Sequence, residues 1–149
     1  MRWLRHWGPA ILWAAFIWFL STHHFSPAST SHVIIPLLHW LLPHASPELL
    51  EGLHIEIRKS GHFVEYFILS LLVLRGIRSD RKGWQPKWGL VVVVIVACYA
   101  LLDEVHQAFV PMRTASAYDS LLDSSGAVVA QLLAWLRALR QARRVGKPA

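Results

Sequence analysis

The chain has 149 residues, of which 54% are hydrophobic and only 16% charged, with a mean hydropathy of +0.38. A soluble domain of this size has too little interior to hide that much apolar surface, so the composition argues against a water-soluble protein and predicts a membrane one. The formal net charge of +6 suits an anionic partner, nucleic acid or anionic lipid, and the placement of the charges decides between them.

Four apolar segments follow in chain order. WGPAILWAAFIWFL, residues 7–20, comes after a basic start. No clean small-x-small cleavage pattern follows it, so it reads as a retained anchor rather than a signal peptide. It is short for a span, but Arg2 and Arg5 can snorkel and Trp3 can extend it. HFVEYFILSLLVL, residues 62–74, reaches span length when 57–61 are added. WGLVVVVIVACYALL, residues 88–102, continues through VHQAFV, and the fourth segment runs over 118–139. Spans must be helical despite the valine run, because unpaired strand backbone is not tolerated in lipid. The fold class is therefore all-α, a polytopic four-span transmembrane bundle forming one domain over 1–149.

Between the first two spans the chain changes character. HVIIPLLHWLLPHASPELLEGLHIEI is apolar in patches and broken by Pro36, Pro43 and Pro47. It predicts an amphipathic outer segment of short helices on the membrane surface. SPELLEGL is one of them, with Ser46 as N-cap and Pro47 at the first helical position. The single cysteine, Cys98, lies inside an apolar run and reads as a small buried hydrophobe. Trp3, Trp7, Trp84, Trp88 and Trp135 sit near segment ends, where indoles favour the headgroup level.

Of the 15 Lys and Arg residues, all but Arg58, Lys59 and Arg113 fall in the N-terminus, the 75–87 loop or the C-terminal tail. Four spans put those three segments on one side, and the positive-inside rule makes that side cytoplasmic. Both termini are then inside, and the basic clusters flank spans rather than forming a nucleic-acid patch. The expected partner is a membrane lipid or a lipid-linked precursor, with no nucleic acid; no protein partner can be named.

This topology brings three polar stripes to one outer level. Lys59, His62 and Tyr66 share a helix face, and Glu65 lies three residues after His62. Asp103, His106 and Gln107 share a face of the third span, with Glu104 about 100° away. Asp119, Asp123 and Gly126 share a face of the fourth. Ionisable groups at membrane depth are expensive and should point into the bundle and pair. Lys59 and Arg113 are the counter-charges for the four carboxylates Asp103, Glu104, Asp119 and Asp123. Such a cluster either ties the helices together or lines a pocket that binds or transforms a ligand. Its excess of carboxylate suits acid–base chemistry or a divalent cation. DEVHQ lacks the HExxH zinc arrangement, however, no cysteine contributes, and no cofactor is expected beyond such a cation. Ser116, Ser120, Ser124 and Ser125 lack a nucleophile-elbow motif, and Ser70 is expected to bond to its own backbone. Gly126, Ala130 and Ala134 form a small-residue ridge for close helix contact.

KSGHFVEYFILSLL from Lys59 and YALLDEVHQAFVPMRTASAYDSLLDSSGAVVAQLL from Tyr99 resemble the VanZ-like family of small bacterial membrane proteins, over 59–133. The family pattern has a Lys…His-Phe…Tyr element, then Asp-Glu-x-x-Gln-x-Phe-x-Pro-Gly-Arg, then an Asp followed by Asn and Gly. Its marked positions fall on Lys59, His62, Glu65, Tyr66, Asp103, Glu104, Gln107, Arg113, Asp119, Asp123 and Gly126. Met112 stands where glycine is usual and Asp123 where asparagine is usual. The family's namesake is associated with low-level resistance to the glycopeptide antibiotic teicoplanin. The resemblance thus implies a multi-pass protein of the bacterial cytoplasmic membrane acting at the cell envelope. The combined expectation is an outer-leaflet pocket that binds or modifies an envelope lipid or lipid-linked glycan precursor. If it is an enzyme, His62 with Glu65 or Asp103 would be the acid–base pair. Arg113 and Lys59 would hold the anion, and Glu104 would orient His106 or Gln107. The alternative is a non-catalytic membrane factor that assists a partner or modulates surface properties.

Overall fold

The computed structural model describes residues 2–22, 25–110 and 117–145. Among them the chain is all-α, with α1 (Arg2–Leu20), α2 (Pro27–Leu41), α3 (Pro47–Arg78), α4 (Pro86–Ala108) and α5 (Ala117–Val145). Prolines open α2, α3 and α4, where the missing N–H is not needed and the fixed φ already suits a helix. Ser26 and Ser46 cap α2 and α3: their hydroxyl oxygens accept from the amides of Ser29 and Leu49, both at 3.3 Å.

One expectation is corrected here. SPELLEGL is not a separate short helix but the first turns of α3, which continues unbroken for 32 residues. Pro47 sits at the helix start, and nothing between it and Arg78 interrupts the ladder. At 1.5 Å per residue α3 is roughly 48 Å long, well beyond the roughly 30 Å of a bilayer's hydrocarbon core. Its early turns, which carry His54 and Arg58, therefore stack directly above the polar stripe.

The core is narrow and lies where α3 meets α1, α4 and α5. On α4 the buried positions Trp88, Val92, Val96 and Ala100 recur every four residues, and the same stripe continues into Asp103, Glu104 and Gln107. α3 and α5 lie close at Gly126, where an added Cβ would be 2.5 Å from the Phe63 carbonyl oxygen. Only a glycine lets these two backbones approach so far, in line with the small-residue ridge. α1 is tied to α3 by Trp13 Nε1, which donates to the Glu65 carbonyl at 2.9 Å. Pro9, inside α1, cannot donate to the carbonyl of Arg5; Arg75 Nη2 donates to that oxygen instead, at 3.1 Å. Tyr99 closes the bundle by donating its hydroxyl to the Ala14 carbonyl at 2.6 Å.

α3 and α4 are long and apolar enough to cross a membrane. Part of each apolar stretch is turned away from the core: Val64 on α3 and Leu90, Val91, Val94 and Ile95 on α4 are exposed. Leu121, Leu132 and Leu133 on α5 are exposed in the same way. Cys98 belongs to this outer surface, contrary to the expectation of burial. It lies two residues from Val96 and Ala100, about 200° round the helix from the buried stripe.

Candidate functional site

A half-open cavity of about 230 Å³ lies between α3, α4 and the start of α5, with Pro27 of α2 at its edge. Its two walls differ in sign. α3 supplies His54, Arg58, Lys59 and His62; α4 and α5 supply Glu104, Gln107, Asp119 and Asp123. The polar groups are held by helices rather than loops, so backbone geometry fixes their height and direction.

Asp123 is wholly buried, and neither carboxylate oxygen makes a hydrogen bond among the described residues. Its ionic neighbour is His62, with Nδ1 3.7 Å from Oδ1, too far for a hydrogen bond. Asp103, also wholly buried, sits behind the cavity rather than in its lining. Gln107 Nε2 donates to Asp103 Oδ2 at 2.8 Å, one helical turn away. The buried Tyr66 hydroxyl lies towards Asp103, yet it and Asp103 Oδ1 make no standard hydrogen bond among the described residues. Glu104, 7% exposed, faces the bundle and not the headgroups.

The structure therefore brings Lys59, His62, Glu104, Gln107, Asp119 and Asp123 together around one cavity. The remaining candidates lie elsewhere. Asp103 and Tyr66 form the layer beneath. Glu65 lines a shallower cleft of about 170 Å³ on the α1–α2 side, which Arg58 and His62 also border. His106 turns towards α1 and stacks on Trp18, with ring centroids 4.1 Å apart. Arg113 lies outside the described residues, as does Ser116. Lys59, expected as a counter-charge to the cavity carboxylates, has its ion pair with Glu56 at 3.5 Å and sits 6.0 Å over the Tyr118 ring.

The VanZ/LLP1 family model matches residues 7–138. The chain belongs to the VanZ/LLP1 family. The VanZ/LLP1 match runs through α1, α2 and the first half of α3, so it takes in residues well beyond the 59–133 that carry the resemblance in the sequence. No curated protein and no solved structure matches the chain.

Two cavity residues of this VanZ/LLP1 chain escape a reading of the sequence that breaks the helix near residue 57. His54 and Arg58 precede His62 by eight and four residues, so all three share the face that lines the cavity. Arg58 Nη1 donates to the Phe25 carbonyl and to Thr30 Oγ1, both at 2.9 Å, which ties α2 to the cavity wall. Thr30 Oγ1 also lies 3.1 Å from His54 Nε2. Beneath the site a further polar line runs through the bundle. Ser70 Oγ donates to the Ala127 carbonyl on α5 at 3.1 Å rather than to its own helix, which corrects the expectation for that residue. Gln131 Nε2 donates to Ser70 Oγ at 2.9 Å, and Trp84 Nε1 donates to Gln131 Oε1 at 3.1 Å. Among the described residues no three His, Cys, Asp or Glu side chains gather closely enough to hold a metal ion.

Proposed function

We propose that this VanZ/LLP1 protein is a four-span membrane protein with both termini cytoplasmic, and that its cavity binds the polar head of an envelope lipid or lipid-linked glycan precursor at the outer leaflet. The observation that carries this reading is Asp123, a fully buried carboxylate lining a cavity without a hydrogen bond among the described residues. Buried polar groups are almost always hydrogen-bonded, and a buried carboxylate whose ionic neighbour, His62, stands 3.7 Å away is left short of donors. A bound group with N–H or O–H donors satisfies it. The opposite wall, with Arg58, Lys59, His54 and His62, suits the phosphate that such a head carries. A sugar hydroxyl or an amine on one side and a phosphate on the other match the two signs of the cavity. Through such binding the protein would alter the envelope and, with it, susceptibility to glycopeptides.

The test is to purify the chain from membranes, extract the lipids it retains and identify them by mass spectrometry. Loss of a hydrogen bond to a charged group weakens binding by about 1.5–3 kcal/mol, roughly ten- to a hundredfold. Asp123→Ala and Glu104→Gln should each deplete a retained lipid by that factor while the protein still accumulates in the membrane. A fall in abundance with unchanged lipid occupancy in the surviving protein would instead support the reading in which the cluster only ties the helices together.

A further inference from the structure

A second cavity, of about 240 Å³, opens at the other end of α3, between Leu71–Arg78, the α3–α4 connection and α5. Its centre on α3 is about 17 residues from that of the first cavity, which places the two roughly 25 Å apart along the helix. Arg75 and Arg78 of α3 and Arg137 of α5 converge on it, together with Gln141 and the indole of Trp84. No acid among the described residues lines it. Asp80, the closest acid in sequence, is 3.3 Å from His6 instead. Arg81 lies over the Trp88 ring, 5.3 Å from its centroid, and is not part of the lining.

Arginines at the end of a helix are often no more than a complement to its dipole, and Arg75 and Arg78 do occupy the last turn of α3. That explanation does not extend to Arg137, which lies about two turns before the end of α5. Nor does it account for Arg78 Nε, which is buried without a hydrogen-bond partner among the described residues. Arg75 gives one nitrogen to the Arg5 carbonyl and retains other N–H donors of its five. Three guanidiniums around one small space form a local positive field that favours an anion between them. The space, about 240 Å³, is small beside the roughly 300–1,000 Å³ of pockets for drug-sized molecules, so what it encloses is a compact group such as a phosphate. The back wall is fixed: Trp84 is held by Gln131 at 3.1 Å and packs so tightly on Gly89 that a Cβ there would meet the indole at 2.5 Å.

We propose that this arginine cleft is a binding site for a phosphate group, free or esterified, held by forked hydrogen bonds from Arg78 and Arg137 with Arg75 at the rim. Leu71 and Leu74 border the arginines and would meet the first carbons of an acyl chain, so a phospholipid head is one source and free phosphate the other. The site stands apart from the carboxylate cavity and does not rest on the reading given for it.

The experiment titrates the full chain in a neutral detergent with dioctanoyl-phosphatidylglycerol, with dioctanoylglycerol (the same chains without phosphate), and with inorganic phosphate. Binding is followed by native mass spectrometry and calorimetry. Saturable binding of the phosphatidylglycerol and not of dioctanoylglycerol is expected, weakened about tenfold or more in an Arg78→Gln/Arg137→Gln variant. Arg140→Gln, an exposed arginine outside the lining, should bind as the unchanged chain does. Inorganic phosphate that binds in the same range and competes would assign the site to free phosphate; phosphate that fails to compete assigns it to the lipid head. If the double Gln variant does not fold by gel filtration and circular dichroism, Arg78→Lys/Arg137→Lys decides, since it keeps both charges and loses the forks; severalfold weakening is expected. Equal binding of dioctanoylglycerol, equal loss in Arg140→Gln, no loss in either double variant, or no saturable binding of any phosphate would overturn the proposal.

Discussion

At the 54–62 end of α3 the charges around the cavity are acids, with Glu104 and Asp123 buried, faced by bases; at its 71–78 end they are arginines with no acid among the described residues. Asp103 and Asp123 are wholly buried, whereas Arg75 and Arg137 are exposed and Arg78 is half-buried. The chemistry of the side chains explains the contrast. An arginine's long stem lets its head reach water or headgroups while the backbone stays in an apolar layer. A carboxylate on one or two methylenes has no such reach, and must be satisfied where its helix puts it. The acid end is therefore the one whose residues are least explained by stability alone. Basic residues commonly flank membrane helices, so the arginines alone are ordinary there, and only the convergence of two helices on one space marks that end out.

The largest effect expected from a single residue lies between the two ends, at Gly126. A Cβ there meets the Phe63 carbonyl oxygen at 2.5 Å and the Phe67 amide nitrogen at 3.2 Å, and neither can turn aside because both are helix backbone. Gly126→Ala should destabilise the protein by about 3 kcal/mol, the upper range for overpacking, and lower its abundance. Gly52→Ala, on the same helix α3, is the control: nothing lies within 4 Å of its Cβ, so no loss is expected. Thermal unfolding in detergent measures both, and equal losses would mean that α3 and α5 are not pinned at this point.

Gln131 comes next. It accepts from Trp84, donates to Ser70, and so links the underside of the acid end to the back wall of the arginine cleft. Gln131→Ala leaves Trp84 Nε1 and one side of Ser70 without partners and should cost about 2 kcal/mol. Replacing both partners by apolar groups, Gln131→Leu with Trp84→Phe, should cost less than the sum of the two single changes. Ligand occupancy at each end, measured in Gln131→Ala, sharpens the comparison. If both ends respond, the line through Ser70 couples them; if neither does, they are independent sites on one scaffold.

Much of this architecture is legible in the sequence because helix geometry is periodic. The three stripes follow from spacings of three and four, and Gly126 follows from the small-residue ridge. Ser46 and Pro47 mark the start of α3 correctly. What spacing does not reveal is which neighbour a face meets. His106 and Gln107 are adjacent, yet one stacks on Trp18 of α1 and the other lines the cavity, because α4 is flanked on both sides. Gln131 and Ser70 look like isolated polar residues in apolar runs until two helices bring them together. The contribution of His54 and Arg58 was hidden by the prolines before them, which suggest a broken segment. Pro43 and Pro47 in fact lie before the helix and at its first position, and a proline at a helix start breaks nothing.

Asp123→Asn addresses the acid end on a finer scale. Asparagine is the usual residue there in the family pattern, and it keeps the shape of the side chain while removing its charge. Abundance should be unchanged. Binding of an amine-bearing headgroup should weaken about tenfold, or 1.4 kcal/mol, whereas a head offering only hydroxyls should be affected much less. Lipid mass spectrometry of the purified variant separates the two. Equal loss of both would mean that the charge of Asp123 does not select the ligand.

The smallest effect concerns the turn that positions Arg78. Ser79 has a φ of 53° and a ψ of −127°, and the Arg81 amide donates to the Arg78 carbonyl at 3.1 Å. Together these describe a type II′ turn with Ser79 at its first central position, where a Cβ is unfavourable and glycine is strongly preferred. Ser79→Gly relieves that strain but also frees the unfolded chain, so a net stabilisation of about 1 kcal/mol is expected. The turn leads α3 out beside the arginine cleft, and the hydrogen bond that closes it is unaffected by the substitution. Phosphate-ester binding should therefore change less than about twofold, well under 1 kcal/mol. A large gain or loss of binding would show that the serine at this turn is kept to aim Arg78, and that the arginine end, like the acid end, holds its groups in a fixed direction rather than leaving them to find their own.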